Sequence, residues 1–252
     1  MDSKKLAQKA ISLLDLTNLN DDCDDAAIET LCAKAQSAYG NTAAVCVWPR
    51  FVSKAKNCLE GTGIKVATVV NFPAGGDDVW GTVAETKAAI ADGADEIDLV
   101  IPYHSFMAGR RGFAETMIVR VKDVIPADRR LKTILETGEL NDPELIKDAA
   151  TVAIEAGADF IKTSTGKVAI NATPQTAEIM LEAIAESGRP VGFKPAGGVR
   201  SLEDAATYLT IAEKYMGADW ATSDTFRFGA SGVLDALIAA MEGQDAKAGE
   251  GY

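Results

Sequence analysis

Histidine is almost missing from this chain: His104 is the only one in 252 residues. A single imidazole leaves no basis for a His-based metal site or a Ser–His triad. Cysteine is scarce too. Cys23, Cys32, Cys46 and Cys58 lack C-x-x-C spacing, and the chain is too large to need disulfide staples, so they read as reduced thiols of a cytosolic protein. No apolar run approaches the roughly 20 residues that span a bilayer. The opening Met1-Asp2-Ser3-Lys4-Lys5-Leu6 leads into an amphipathic segment, not the apolar block of a signal peptide. Positive charge is in deficit, with 25 basic against 37 acidic residues and a net charge of −12. That argues against nucleic acid or an anionic membrane as partner. A small anionic substrate stays open, because local amides and lysines can bind one against the global field.

What is present is ordinary globular material, 47% hydrophobic and 25% charged. Length alone allows one large domain or two small ones. The pattern decides. Predicted strands at 13–17, 42–48, 65–72, 96–101, 130–136, 160–164, 191–195 and 226–229 alternate with predicted helices at 22–37, 50–59, 79–91, 114–124, 142–155, 174–186, 201–215 and 233–241. Thr173-Pro174 and Asp142-Pro143 place a capping residue before a first-turn proline. Gly93-Ala94-Asp95, Gly157-Ala158-Asp159 and Gly217-Ala218-Asp219 repeat one helix-to-strand connection, in which glycine closes the helix. Eight such units predict a (β/α)₈ barrel over residues 1–242, with chemistry at the C-terminal strand ends. A doubly wound sheet is disfavoured because no G-x-G-x-x-G follows the first strand. Residues 243–252, rich in glycine and polar side chains, are expected to form a mobile tail.

Buried parallel strands should be apolar on both faces. Here polar exceptions recur on one face: Asp15, Cys46, Asp98, Lys132, Lys162 and Lys194 are all predicted to point inward. A lone strand lysine usually snorkels to water. Two aspartates and three lysines on five strands would be costly as mere packing and fit a catalytic constellation better. Lys162 and Lys194 lie on adjacent strands at similar depth. Two confined ammonium groups resist double protonation, so one amine titrates low and becomes a nucleophile for imine chemistry. Asp98, with a water, is placed to move the protons. Glycine-rich turns after the last two strands, Gly197-Gly198-Val199-Arg200-Ser201 and Gly229-Ala230-Ser231-Gly232, expose amides at helix starts where barrels commonly hold phosphate.

Six stretches run through the chain: Leu14-Asp15-Leu16-Thr17, 41–47 (NTAAVCV), 93–98 (GADEID), 136–140 (ETGEL), 160–166 (FIKTSTG) and 191–200 (VGFKPAGGVR). Together they resemble the 2-deoxyribose-5-phosphate aldolase family of class I aldolases nearly end to end. The resemblance implies reversible addition of acetaldehyde to D-glyceraldehyde 3-phosphate, giving 2-deoxy-D-ribose 5-phosphate, with no metal or organic cofactor. It implies Lys162 as the imine-forming lysine, Lys194 as the lysine that lowers its pKa, and Asp98 as the proton-transfer aspartate. Asp15, Cys46, Lys132 and Thr165 would line the pocket, Lys167 would stand at its margin, and Gly197, Gly198, Ser231 and Gly232 would face the phosphate. Tyr252 would reach back over the site. Partners would be small aldehydes and sugar phosphates, and a homodimer stands as an open expectation because the sequence is silent on oligomeric state.

There are two departures. The family's phosphate turn often carries two serines, and here the second is Gly232, which would relax preference toward unphosphorylated aldehydes. Trp80-Gly81 is an odd pair for a helix start. Two other readings compete: a phosphate-binding barrel isomerase working by carboxylate proton abstraction, which lacks need of the lysine pair, and a barrel kept only as a scaffold.

Overall fold

Short runs of aliphatic and β-branched residues, buried on both faces, form eight parallel strands: β1 Leu14–Asn18, β2 Ala44–Val47, β3 Lys65–Val70, β4 Glu96–Val100, β5 Arg130–Ile134, β6 Phe160–Lys162, β7 Gly192–Lys194 and β8 Phe228–Ala230. The structure, a computed structural model, describes residues 2–244. Each strand pairs with the next, and β1 also pairs with β8. Bridges Phe193↔Phe226 and Ala196↔Gly229 join β7 to β8 and close the ring. The chain is a single (β/α)₈ barrel.

Eight helices cover the outside, seven of them crossovers between strands and the last following β8: α2 Asp25–Lys34, α3 Val52–Cys58, α4 Val79–Ala91, α6 Arg111–Lys122, α8 Pro143–Glu155, α9 Pro174–Ser187, α10 Leu202–Met216 and α11 Val233–Glu242. Three more, α1 Ser3–Ser12, α5 Tyr103–Met107 and α7 Thr137–Leu140, were not separated in the alternation pattern, nor was the hairpin of Gln36–Ser37 with Gly40–Asn41. The two short helices lie in loops at the C-terminal ends of β4 and β5, where periodicity has too few residues to register. The caps follow the sequence: Thr173 and Asp142 accept from first-turn amides of α9 and α8. Asp78 caps α4 by accepting from the Gly81 amide at 2.9 Å. A side chain at position 81 would push that carboxylate aside, so glycine suits this cap, and Trp80 simply projects into solvent.

The repeated Gly-Ala-Asp connection has a physical job. Gly93, Gly157 and Gly217 have φ of 102°, 99° and 96°, which disfavour any side chain. Asp95 accepts from the Val66 amide at 2.8 Å and pairs with Lys56 at 2.9 Å. Asp159 repeats this with the Leu131 amide at 2.7 Å and Lys122 at 2.5 Å. Each aspartate thereby ties the preceding strand and a neighbouring helix to the strand that follows it.

The core between strands and helices is apolar. The inside of the ring is divided. On the β1–β3 side Leu19, Cys46, Ala67 and Val69 pack with Trp48 and Phe72. On the remaining strands, and at Asp15 of β1, the interior is charged.

Candidate active site

Strand alternation stacks these charges in layers. Glu96 and Asp98 are two residues apart on β4 and share its inner face. Register sets Asp98 beside Lys132, and Lys132 beside Phe160. One step nearer the C-terminal ends, Lys162 and Lys194 are direct partners across β6 and β7. Gly229 makes this possible, since a Cβ there would approach Lys194 Cε to 3.0 Å and Ala196 Cβ to 2.8 Å. Arg227 enters from below β8.

A continuous ion network results. Arg227 donates to Asp15 Oδ1 at 2.6 Å and to both Glu96 oxygens at 2.8 and 3.1 Å. Lys132 Nζ lies 2.5 Å from Glu96, 3.0 Å from Asp98 Oδ1 and 3.4 Å from Asp15. Lys194 Nζ donates to Asp15 Oδ2 at 2.6 Å and to Asp98 Oδ2 at 2.8 Å. Lys162 Nζ donates to that same Asp98 oxygen, also at 2.8 Å. Two amines thus meet at one carboxylate oxygen. All seven groups are buried.

Burial favours the neutral form of any ionisable group, and opposite charges favour the ionised form. For Asp15, Glu96 and Asp98 burial alone would raise the pKa, but the surrounding cations outweigh it and hold all three below the usual carboxylate range. For Lys132 and Lys194 burial works downward, but several carboxylates outweigh it and raise both. Lys162 moves the other way. Burial, reinforced by the Lys194 cation, outweighs its single shared acceptor and lowers its pKa. The difference is one of partners: three acids surround Lys132, two hold Lys194, and Lys162 has half a claim on one.

Asp15 and Lys132, expected as lining residues, form the floor beneath the lysine pair, their charged ends bonded within the network. Cys46 is fully buried in the apolar interior wall, and burial, with Asp98 nearby, raises its thiol pKa. Thr165 was expected as a substrate contact, but its hydroxyl donates to Glu136 at 2.5 Å and its amide to the other Glu136 oxygen at 3.2 Å. Glu136 holds a left-handed backbone (φ 57°), a strained conformation for a side chain of its size, and so pins the loop after β6. Lys167 is at the rim, its Nζ bonded to the Leu19 carbonyl at 2.8 Å.

Gly197 and Gly198 follow β7 with φ of 76° and 85°, where a side chain would be strained. The two helix starts differ from expectation. The α10 start is already capped: Asp204 accepts from the amides of Arg200 at 2.8 Å and Ser201 at 3.0 Å. The α11 start, at Gly232, has no side-chain cap, so it is the one helix start of the pair left open beside Ser231. Tyr252 lies outside the described residues.

Three residues of the site escaped sequence reasoning. Glu96 shares the Asp98 face, so the period-2 rule that placed Asp98 inward could have placed it too. Arg227 sits between Phe226 and Phe228, and a charge between two aromatics in a strand was the available signal. Glu136, four residues after Lys132, falls on the same inward period, which was the available signal.

The DeoC/LacD family aldolase description matches residues 9–235. The chain belongs to that family. Over 251 residues it is 55% identical to a deoxyribose-phosphate aldolase of Agrobacterium fabrum, covering 99% of this chain and 97% of that one. Among solved structures similar to it, one from Toxoplasma gondii ME49, provisionally assigned as a deoxyribose-phosphate aldolase, superposes with a TM-score of 0.87 at 28% identity over 97% of this chain and 99% of its own. The aldolase QR15 superposes with a TM-score of 0.79 at 27% identity, covering 92% and 96% of the two chains. Membership in this family fits a barrel whose lysines converge inside the ring and disfavours the isomerase and scaffold readings.

Proposed function

We propose that the protein is a deoxyribose-phosphate aldolase that joins acetaldehyde to D-glyceraldehyde 3-phosphate, reversibly, through an imine on Lys162. The observation that carries this is the meeting of Lys162 and Lys194 at one Asp98 oxygen inside the barrel. Neutral Lys162 Nζ attacks the acetaldehyde carbonyl carbon, and the oxygen takes a proton to give a carbinolamine. The hydroxyl takes a further proton and leaves as water, giving an iminium. Asp98, acting through a water, removes a proton from the methyl carbon, and the electron pair moves into the enamine. That carbon bonds to the aldehyde carbon of the acceptor, whose oxygen takes a proton, and hydrolysis of the new iminium frees the product and the amine. Lys194 stays cationic and keeps Lys162 neutral. Asp15 and Lys132 hold Lys194 and Asp98 in place. The Gly197 amide is taken by the Gly229 carbonyl at 3.2 Å, so the Gly198 amide and the open start of α11 are the donors that suit the acceptor's phosphate, with Lys167 adding positive charge at the rim.

Acetaldehyde with a borohydride reductant should leave an irreversible N-ethyl group, mapped by peptide mass to Lys162. Adduct elsewhere, or none, removes the reading. Gly232→Ser should raise the ratio of kcat/KM for phosphorylated over unphosphorylated acceptor several-fold by adding a hydroxyl at the α11 start. An unchanged ratio would remove the role given to Gly232.

The reading brings with it small aldehyde and sugar-phosphate substrates. Among the described residues no helix is long and apolar enough to cross a membrane, and the four cysteines are unpaired, which suits the cytoplasmic placement. A homodimer is part of the reading and is checked by light scattering on the purified protein.

A further inference from the structure

We propose that Glu96 and Arg227, which lie beneath the lysine pair and touch no substrate, are positioning residues that set the proton occupancy of Lys162 by fixing the charge count of the buried network. This rests on the reading of Lys162 as the imine-forming amine.

Among the described residues, the ion-paired groups inside the ring are the carboxylates Asp15, Glu96 and Asp98 and the bases Lys132, Lys162, Lys194 and Arg227. Three anions face four bases. An uncompensated charge is costly among buried groups, so the network is balanced only when one base is neutral. Arg227 cannot give up its proton. Lys132 is held by three carboxylates and Lys194 by two. Lys162 has one oxygen, and shares it. The missing proton is therefore that of Lys162.

Seen this way, Glu96 and Arg227 are a matched pair in the floor. Each is 2% exposed, and two hydrogen bonds join them. Removing the arginine leaves three carboxylates to two fixed cations, and a protonated Lys162 restores balance. Removing the Glu96 charge leaves two carboxylates to three fixed cations, and a proton on Lys162 becomes still less favourable. The effects have opposite signs although the two residues are neighbours, which simple loss of packing does not produce.

The other groups facing Lys162 do not alter this. They are Asp98 from β4, Lys194 from β7, Cys46 from β2 and Glu136 at the end of β5. Asp15 of β1 and Lys132 of β5 stand one partner further away. Cys46 is a buried thiol held neutral, and both Glu136 oxygens are bonded to Thr165 outside the network. Both are the same in every variant and drop out of the comparison.

The test is the rate of acetaldehyde trapping by cyanoborohydride as a function of pH, with the adduct located by peptide mapping. Glu96→Gln should lower the midpoint of the acid limb by about one pH unit, making trapping on that limb about tenfold faster. Arg227→Met should raise it by about one unit and slow trapping about tenfold at the same pH. The double variant, and Arg227→Lys, should return the parent midpoint. A purely structural role would slow trapping at every pH and leave the midpoint still. Midpoints that do not move, or move together, overturn the proposal. If circular dichroism shows Arg227→Met unfolded, Glu96→Gln decides alone, since it leaves Arg227 bonded to Asp15 at 2.6 Å. No adduct on Lys162 in the parent would overturn the imine reading itself, whereas an adduct with unmoved midpoints overturns only the charge count.

Discussion

Lys162→Ala is expected to reduce retro-aldol turnover by at least about 10⁴-fold while the barrel stays folded. The size follows from the chemistry. Without the amine no covalent intermediate forms, and neither Asp98 nor the anion-binding turns can replace it. Folding should survive because no carboxylate is orphaned. Asp98 keeps Lys132 at 3.0 Å and Lys194 at 2.8 Å, so the remaining charges are three of each sign. The measurement is steady-state turnover of 2-deoxyribose 5-phosphate, paired with far-UV circular dichroism. Turnover within tenfold of the parent in a folded variant would place the nucleophile elsewhere.

Lys194→Met should act differently, by moving the pH profile. In the parent, activity requires neutral Lys162, whose pKa is lowered, so activity is present above that pKa and is lost as pH falls through it. Removing the Lys194 cation frees the shared Asp98 oxygen for Lys162 and leaves the network one positive charge short. Lys162 then takes up a proton, and its acid limb moves up toward the ordinary lysine range near 10.4. Near neutral pH the loss should be about 10²–10³-fold, shrinking tenfold for each unit of rising pH. Stability should fall by less than the roughly 3–5 kcal/mol expected when a buried charge is left unpaired, because Lys162 supplies the replacement. A uniform drop at every pH, with the limb unmoved, would mean that Lys194 does not govern the Lys162 proton.

Much of this was legible in the residues. Strand and helix alternation gave the barrel, since each crossover helix is long enough to show its period and each cap carries its own chemistry. The inward placement of Asp98, Lys132, Lys162 and Lys194 followed from a period of two applied to strands that should otherwise be apolar. What escaped was non-local. Glu96 and Arg227 are partners across 131 residues, and nothing near either one announces the other. The depth of Asp15 and Lys132 was hidden for the same reason. A strand pattern fixes which face a side chain takes, but its depth depends on the stagger between neighbouring strands. The tie between Thr165 and Glu136 was hidden because Glu136 sits in a backbone conformation that side-chain patterns do not report.

The layering has a consequence for how this chain can change. Proton chemistry is housed in strands, on a base of their own ion pairs, while the parts suited to grip the acceptor are turns above it. Exchanging those turns alters which aldehyde is held and leaves the amine's reactivity in place, so selectivity and reactivity can be varied separately.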